Sequence, residues 1–251
     1  MWKAIGRTYC EAWQFTKALP FLFFLMFALE GAQHVVEWLN GFYLSAEMMK
    51  ETGSDPARLS LGIIKTVAGL LLGYCIIRYL LGDGSTRYAT AFEAVAMRRY
   101  GVSLLCYVLL SAAALLVVVI VGSQLPNRML ALPLIILAGA AVRTLLSYWM
   151  VGAAVADPNA TLAGSIRMTR RSLIWGMAVT LIVAMPPMAA HYALSYGALG
   201  AWPPVLAAML ALDSALVAFL YVLLAGSQVA IARHVTERSG QPLLAAAVPA
   251  A

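Results

Sequence analysis

Six apolar runs, each long enough to cross a bilayer, set the limits on what this chain can fold into. They cover about residues 18–39, 58–82, 100–122, 129–154, 173–197 and 204–232. A helix needs about 20 mostly apolar residues to span the hydrocarbon core. Within that core every backbone N–H and C=O has to be satisfied inside the segment, so runs of this length predict α-helices. Composition removes a water-soluble bundle as the alternative. Of the 251 residues, 63% are hydrophobic and 11% charged, against roughly 25% charged in a soluble domain. The sequence therefore predicts an all-α, polytopic membrane protein with six transmembrane helices. Residues 1–238 are expected to form one domain and 239–251 a mobile tail.

The first run begins "ALPFLFFLMFAL", which has the character of a signal-peptide core. Glu30 stands where a cleavage site needs a small residue, so this run is expected to be retained as the first helix. Lysine and arginine then set the orientation. With the amino terminus inside, the inner segments hold twelve basic residues, from Lys3 to Arg238, and the outer loops hold three, Lys50, Arg58 and Arg128. Cytoplasmic loops carry such an excess, so both termini are expected in the cytoplasm of a bacterial inner membrane. The net charge of +6 is accounted for in this way, without nucleic acid as a partner. The expected partners are anionic lipids on the cytoplasmic face, met by Arg98, Arg99, Arg167, Arg170 and Arg171, and other membrane subunits. Cys10, Cys75 and Cys106 fit no metal-knuckle spacing and are expected as free thiols.

Two inner loops carry a helical period. "DGSTRYATAFEAVAMRRYG" offers Ser85 as a cap and sets Tyr88, Phe92 and Val95 on one face. "ADPNATLAGSIRMTRRS" offers Asp157 as cap and Pro158 at the first helical position, with Leu162 and Ile166 on one face. Each predicts a short amphipathic helix lying on the inner leaflet. Ser85 precedes Arg98-Arg99 by the spacing at which Asp157 precedes Arg170-Arg171. With "MWKAIGRTYCEAWQFTK" as a first such element, anchored by Trp2, Trp13 and Phe15, the chain parses as three repeats of interfacial helix plus hairpin.

The stretch "RTLLSYWMVGAAVADPNATLAGSIRMTRRSLIWGM" carries Arg143, Pro158, Ser165, Thr169, Arg170 and Trp175. In it an arginine-bearing helix leads through a proline turn into a Ser-x-x-x-Thr-Arg segment and a tryptophan-bearing helix. It resembles a pattern in the bacterial six-helix inner-membrane families around the membrane domain of glycerophosphoryl diester phosphodiesterase. The resemblance covers about a fifth of the chain. It implies the six-helix architecture and no activity, because that membrane domain is not the catalytic part.

The residues most expensive to bury lie in "ALEGAQHVVEWLN". At 100° per residue, Glu30, His34 and Glu37 fall within about 60° of one another on a helix. By the topology above, Lys65, His191 and Asp213 reach the same outer half of the bilayer from three other helices. Arg143 lies deeper, within reach of Asp213. One expectation is an outward-facing polar pocket lined by these seven residues. The other is two structural ion pairs, Glu30 with Lys65 and Asp213 with Arg143, with Glu37 in the headgroup zone and Lys65 reaching outward. Gly69-x-x-x-Gly73 predicts a close helix contact, and Pro186-Pro187 a kink.

No Walker loop, Gly-x-Ser-x-Gly, His-Glu-x-x-His or Cys-x-x-Cys-His motif is present. A non-catalytic accessory, assembly or scaffold component is therefore the first expectation. A small proton-coupled transporter is the second. A subunit holding haem or a metal at His34 and His191, with Glu30 or Glu37, is a lesser third.

Overall fold

The computed structural model describes residues 1–123, 131–240 and 243. Their regular structure is all helical, with no strand among them. In chain order the helices are α1 Trp2–Ala18, α2 Pro20–Leu39, α3 Ala46–Thr52, α4 Pro56–Leu81 and α5 Thr86–Thr90. They continue with α6 Ala94–Ser123, α7 Ala131–Ala154, α8 Leu162–Thr169, a 3₁₀ turn Arg170–Ser172, α9 Leu173–Gly197 and α10 Pro203–Ser239. Among the described residues, α2, α4, α6, α7, α9 and α10 are long and apolar enough to cross a membrane. The chain is an integral membrane protein. The most apolar window of α6 reaches a mean hydropathy of 3.0, yet Leu105, Leu109, Leu116 and Val117 on it are exposed. A lipid environment covers such a surface at no cost.

The chain divides into two compact units. The first comprises Met1–Glu11, Tyr74–Val183 and Leu224–Ala251, the second Ala12–Gly73 and Ala184–Leu223. By sequence the first holds thirteen basic residues against five acidic, and the second four against six.

In the first unit, α7 and α8 are fastened by hydroxyl groups. Ser165 Oγ donates to the Leu145 carbonyl at 2.6 Å and accepts from the Trp149 N–H at 3.2 Å. Thr169 Oγ1 donates to the Ser165 carbonyl at 2.7 Å and reaches the Leu145 carbonyl at 3.2 Å. Gly176 lies against Thr144, where an added Cβ would come within 2.4 Å of the threonine methyl. Trp175 stacks on His234 with ring centroids 3.9 Å apart. The Ser-x-x-x-Thr spacing is thus a helix clasp.

The inner loops depart from their expected form. Residues 85–99 do not make one amphipathic helix. Ser85 does cap α5 by accepting the Tyr88 N–H, but the helix stops at Thr90. Two carbonyls at that end accept side-chain donors from α4. Arg78 Nε takes the Tyr88 carbonyl at 2.9 Å and Tyr74 Oη takes that of Ala91 at 3.3 Å. Ala91 is extended, and Phe92 is left 77% exposed while Tyr88 is buried. Val95 and Arg98-Arg99 belong to α6. Asp157 is no helix cap either. α7 ends with Ala156 in the left-handed region at φ 59°. The Ala156 N–H goes to the Ala153 carbonyl and the Asp157 N–H to that of Gly152, the Schellman pattern. The Asp157 carboxylate accepts the Asn159 N–H, and Thr161 caps α8.

On α1, Trp2 and Trp13 are exposed as expected of interfacial anchors, whereas Phe15 is buried. α10 runs on through Ser239. Apart from Ser239, Gly240 and Leu243, the segment expected as a mobile tail lies outside the described residues.

Candidate functional site

The second unit contains a buried polar cluster, and its construction starts with α2. The buried residues of that helix are Met26, Glu30, Gln33, His34 and Glu37, while Val35 and Leu39 face outward. The helix is inverted relative to a soluble one, with its polar stripe inward and its apolar side toward lipid. Charged side chains within a membrane are costly and normally turn inward onto partners.

The end of α2 completes the cluster. Gly41, at φ 75°, sits just past the helix. Its N–H bonds the Trp38 carbonyl and the Phe42 N–H bonds that of Glu37, both close to 3 Å. This Schellman stop needs a left-handed residue, which glycine supplies without a Cβ clash. The chain then folds back, and Phe42 and Tyr43 pack with Ala198, Leu206 and Leu210. The Tyr43 carbonyl accepts the Gly200 N–H at 2.8 Å. Tyr43 Oη thereby reaches Glu37 Oε2 at 2.5 Å and lies 2.8 Å from His34 Nδ1.

Glu37 is 3% exposed and has four partners. Tyr43 and His34 Nδ1, the latter at 2.9 Å, meet Oε2. Gln33 Nε2 at 3.0 Å and Arg58 Nε at 2.7 Å meet Oε1. Arg58 is held at the start of α4, where its N–H bonds the Asp55 carboxylate and its Nη1 bonds the Gly53 carbonyl. Burial, then the Glu37 carboxylate, holds the Tyr43 phenol well above its ordinary pKa, so it remains a donor.

A second group centres on Asp213 of α10, 1% exposed. Its Oδ1 meets His191 Nδ1 at 2.7 Å and its Oδ2 lies 2.9 Å from His34 Nε2. His34 Nε2 is also 3.7 Å from Glu30 Oε1, and Glu30 Oε2 is paired with Lys65 of α4. The helices come close enough for this because small residues line them. A Cβ on Gly31 would touch Ser214 Oγ at 3.8 Å, and one on Gly62 would touch Gln33 Oε1 at 3.8 Å. At Gly69 the Tyr221 ring occupies the space of a side chain, 2.3 Å from where a Cβ would stand. Pro186 and Pro187 lie inside a continuous α9.

Of the seven residues expected in a polar pocket, the structure brings together Glu30, His34, Glu37, Lys65, His191 and Asp213. Glu37 is not in a wet headgroup zone, because its two oxygens are enclosed by four donors. Arg143 is the exception and does not pair with Asp213. It belongs to the first unit, where it lies over the Tyr107 ring and donates to Tyr107 Oη at 3.2 Å and toward the Leu224 carbonyl at 3.5 Å. Asp213 has His34 and His191 as its partners instead. His34 and His191 face opposite oxygens of Asp213 and do not form a facing pair of ligands.

Sequence reasoning passed over Tyr43 and Arg58, which it placed in a loop. The signal was Asn40-Gly41 directly after the helix, a stop that returns the next two residues onto it.

The basic residues expected at the lipid headgroups lie in the first unit. Arg167, Arg170, Arg171 and Arg238, with Ser172, line a groove of about 350 Å³. Arg98 and Arg99 line another of about 450 Å³ with Trp149, Thr161 and Leu162, and Arg99 donates to the Ala156 carbonyl. Compared with protein-family models, curated proteins and solved structures, the chain finds no match.

Proposed function

We propose that this chain is a non-catalytic integral membrane protein of a bacterial inner membrane, with both termini cytoplasmic. In this reading it binds anionic phospholipid headgroups at its basic face and serves partner membrane proteins as an accessory or scaffold component. The observation that carries it is the groove lined by Arg167, Arg170, Arg171 and Arg238. Guanidinium groups match phosphate oxygens in fork geometry and are weakly hydrated. Four of them around one groove make a site for a phosphodiester at a membrane surface. The charge distribution agrees with the orientation. Twelve basic residues are assigned to the inside and three, Lys50, Arg58 and Arg128, to the outside.

The test is native mass spectrometry of detergent-solubilised protein given phosphatidylglycerol or phosphatidylcholine. Preferential retention of phosphatidylglycerol is expected, reduced several-fold in an Arg170→Gln/Arg171→Gln/Arg238→Gln protein. Equal retention of both lipids by the wild type, or an unchanged preference in the triple variant, refutes the reading.

A further inference from the structure

Each ring nitrogen of His34 faces a carboxylate oxygen, and carboxylates only accept hydrogen bonds. Something positive has to stand in each contact. At Nδ1 a proton serves. With Nδ1 protonated, the 2.9 Å contact to Glu37 Oε2 is a hydrogen bond and the Nε2 lone pair faces Asp213 and Glu30. At Nε2 the geometry differs. Asp213 Oδ2 is 2.9 Å away, but neither atom makes an aligned hydrogen bond. His34, Asp213 and Glu30 are 4%, 1% and 1% exposed. One ligating atom from each lies within 4.8 Å of the others.

From this geometry we infer that Glu30, His34 and Asp213 form a binding site for one divalent first-row transition-metal ion, with zinc(II) the best match. A tetrahedral ion with bonds of about 2.0–2.2 Å holds its ligands roughly 3.2–3.6 Å apart. The separations of 2.9 and 3.7 Å from His34 Nε2 to Asp213 Oδ2 and Glu30 Oε1 bracket that range. One imidazole and two carboxylates suit zinc(II) or manganese(II) rather than a soft ion that needs thiolates.

The outer residues are arranged as a metal site arranges them. Glu37 backs the far nitrogen of the histidine, and His191 holds the far oxygen of Asp213. Such partners orient ligands and raise their basicity. Lys65 is the competitor. It is paired with Glu30 Oε2, while Oε1 is the oxygen turned toward His34 Nε2, and its side chain keeps 13% exposure as a way out. The inference stands apart from lipid binding by the other unit, and neither result decides the other.

The experiment uses full-length protein with an affinity tag that contains no histidine, stripped with a chelator. Zinc content per chain is read by elemental mass spectrometry, and cobalt(II) serves as a spectroscopic probe. One equivalent of zinc and the visible d–d bands of four-coordinate cobalt are expected. Asp213→Asn and Glu30→Gln should each weaken binding by at least tenfold, and His191→Phe by about tenfold, the usual effect of losing an outer partner. Lys65→Met should tighten binding, whereas in a cluster of ion pairs alone it gives an unneutralised Glu30 and no metal. Folded wild-type protein that takes up no stoichiometric zinc or cobalt overturns the inference. So does equal uptake by a Glu30→Gln/Asp213→Asn variant. If these variants do not fold, the wild type and Lys65→Met decide.

Discussion

Replacing Arg78 by lysine keeps the charge and removes the shape, and it should cost the protein several kcal/mol. Arg78 is fully enclosed in the first unit. Its Nε donates to the Tyr88 carbonyl at 2.9 Å, and its Nη1 donates to the Ala154 carbonyl at 3.2 Å and to Glu93 Oε2 at 3.1 Å. The guanidinium lies 3.9 Å from the Tyr88 ring centroid and 5.1 Å from that of Tyr74. Lysine is a point charge on a flexible stem and cannot serve three acceptors in one plane while stacking. A buried carbonyl left without a donor costs about 1–3 kcal/mol, and a desolvated cation–ring contact is worth about 2 kcal/mol. One lost carbonyl and one lost stack give a total of about 3–5 kcal/mol. For a chain of this size, 1 kcal/mol shifts the midpoint by about 2–4 °C, so Arg78→Lys should melt about 10 °C lower. The assay is tryptophan fluorescence against temperature in one detergent at one scan rate, because irreversible unfolding makes the midpoint rate-dependent. Tyr88→Leu should lower the midpoint less, and the double variant should fall short of the sum, because both remove the same stack. A midpoint for Arg78→Lys within about 2 °C of wild type would refute the account of Arg78 as the post on which α5 and the end of α7 are hung.

Gly69→Leu should destabilise by about 1–3 kcal/mol through overpacking against the Tyr221 ring. A Tyr221→Ala change should recover part of the loss on the same scan. Tyr43→Phe removes the 2.5 Å bond to Glu37 and should cost about 1–3 kcal/mol. It also carries a pH signature, because the phenol is raised above the 10.0 of the free group. The folded state keeps that proton where the unfolded chain gives it up, so this contribution is whole below about pH 10 and declines above it. The wild-type midpoint should fall more steeply than that of Tyr43→Phe as alkaline pH is approached, and parallel profiles would count against the buried hydrogen bond.

The spans were legible because two simple constraints act on them. Lipid demands about 20 apolar residues, and Pro20, Pro56 and Pro203 open three of the helices at positions where proline's missing N–H costs nothing. The inward stripe of α2 was legible for a similar reason, since the 3.6-residue period alone puts Glu30, His34 and Glu37 together. The inner loops were misjudged because period is a local property and the helix break is not. Nothing near Thr90 in sequence announces that Arg78 and Tyr74, on another helix, bond the Tyr88 and Ala91 carbonyls at the break. For the same reason the sequence marks Arg78 only as one more inner charge. Arg143 and Asp213 were matched by depth, and depth does not say which way a helix is turned.

Charge balance bears on what the polar cluster is for. Helices in a membrane gain little from burying apolar surface against one another, and small residues and polar pairs hold them together instead. Glu30 with Lys65 and Glu37 with Arg58 fit that role, each carboxylate meeting one permanent cation. Asp213 does not fit it. It has only histidines as partners, and a histidine is a counter-charge only while it carries an extra proton. A cluster meant solely as glue would be better served by a lysine or arginine at position 191, or by an asparagine at 213. An acid there leaves the cluster one negative charge in excess of its fixed cations, beside His34 Nε2 and Asp213 Oδ2, which lack aligned partners. A second proton on His34 or the cation inferred above would neutralise it.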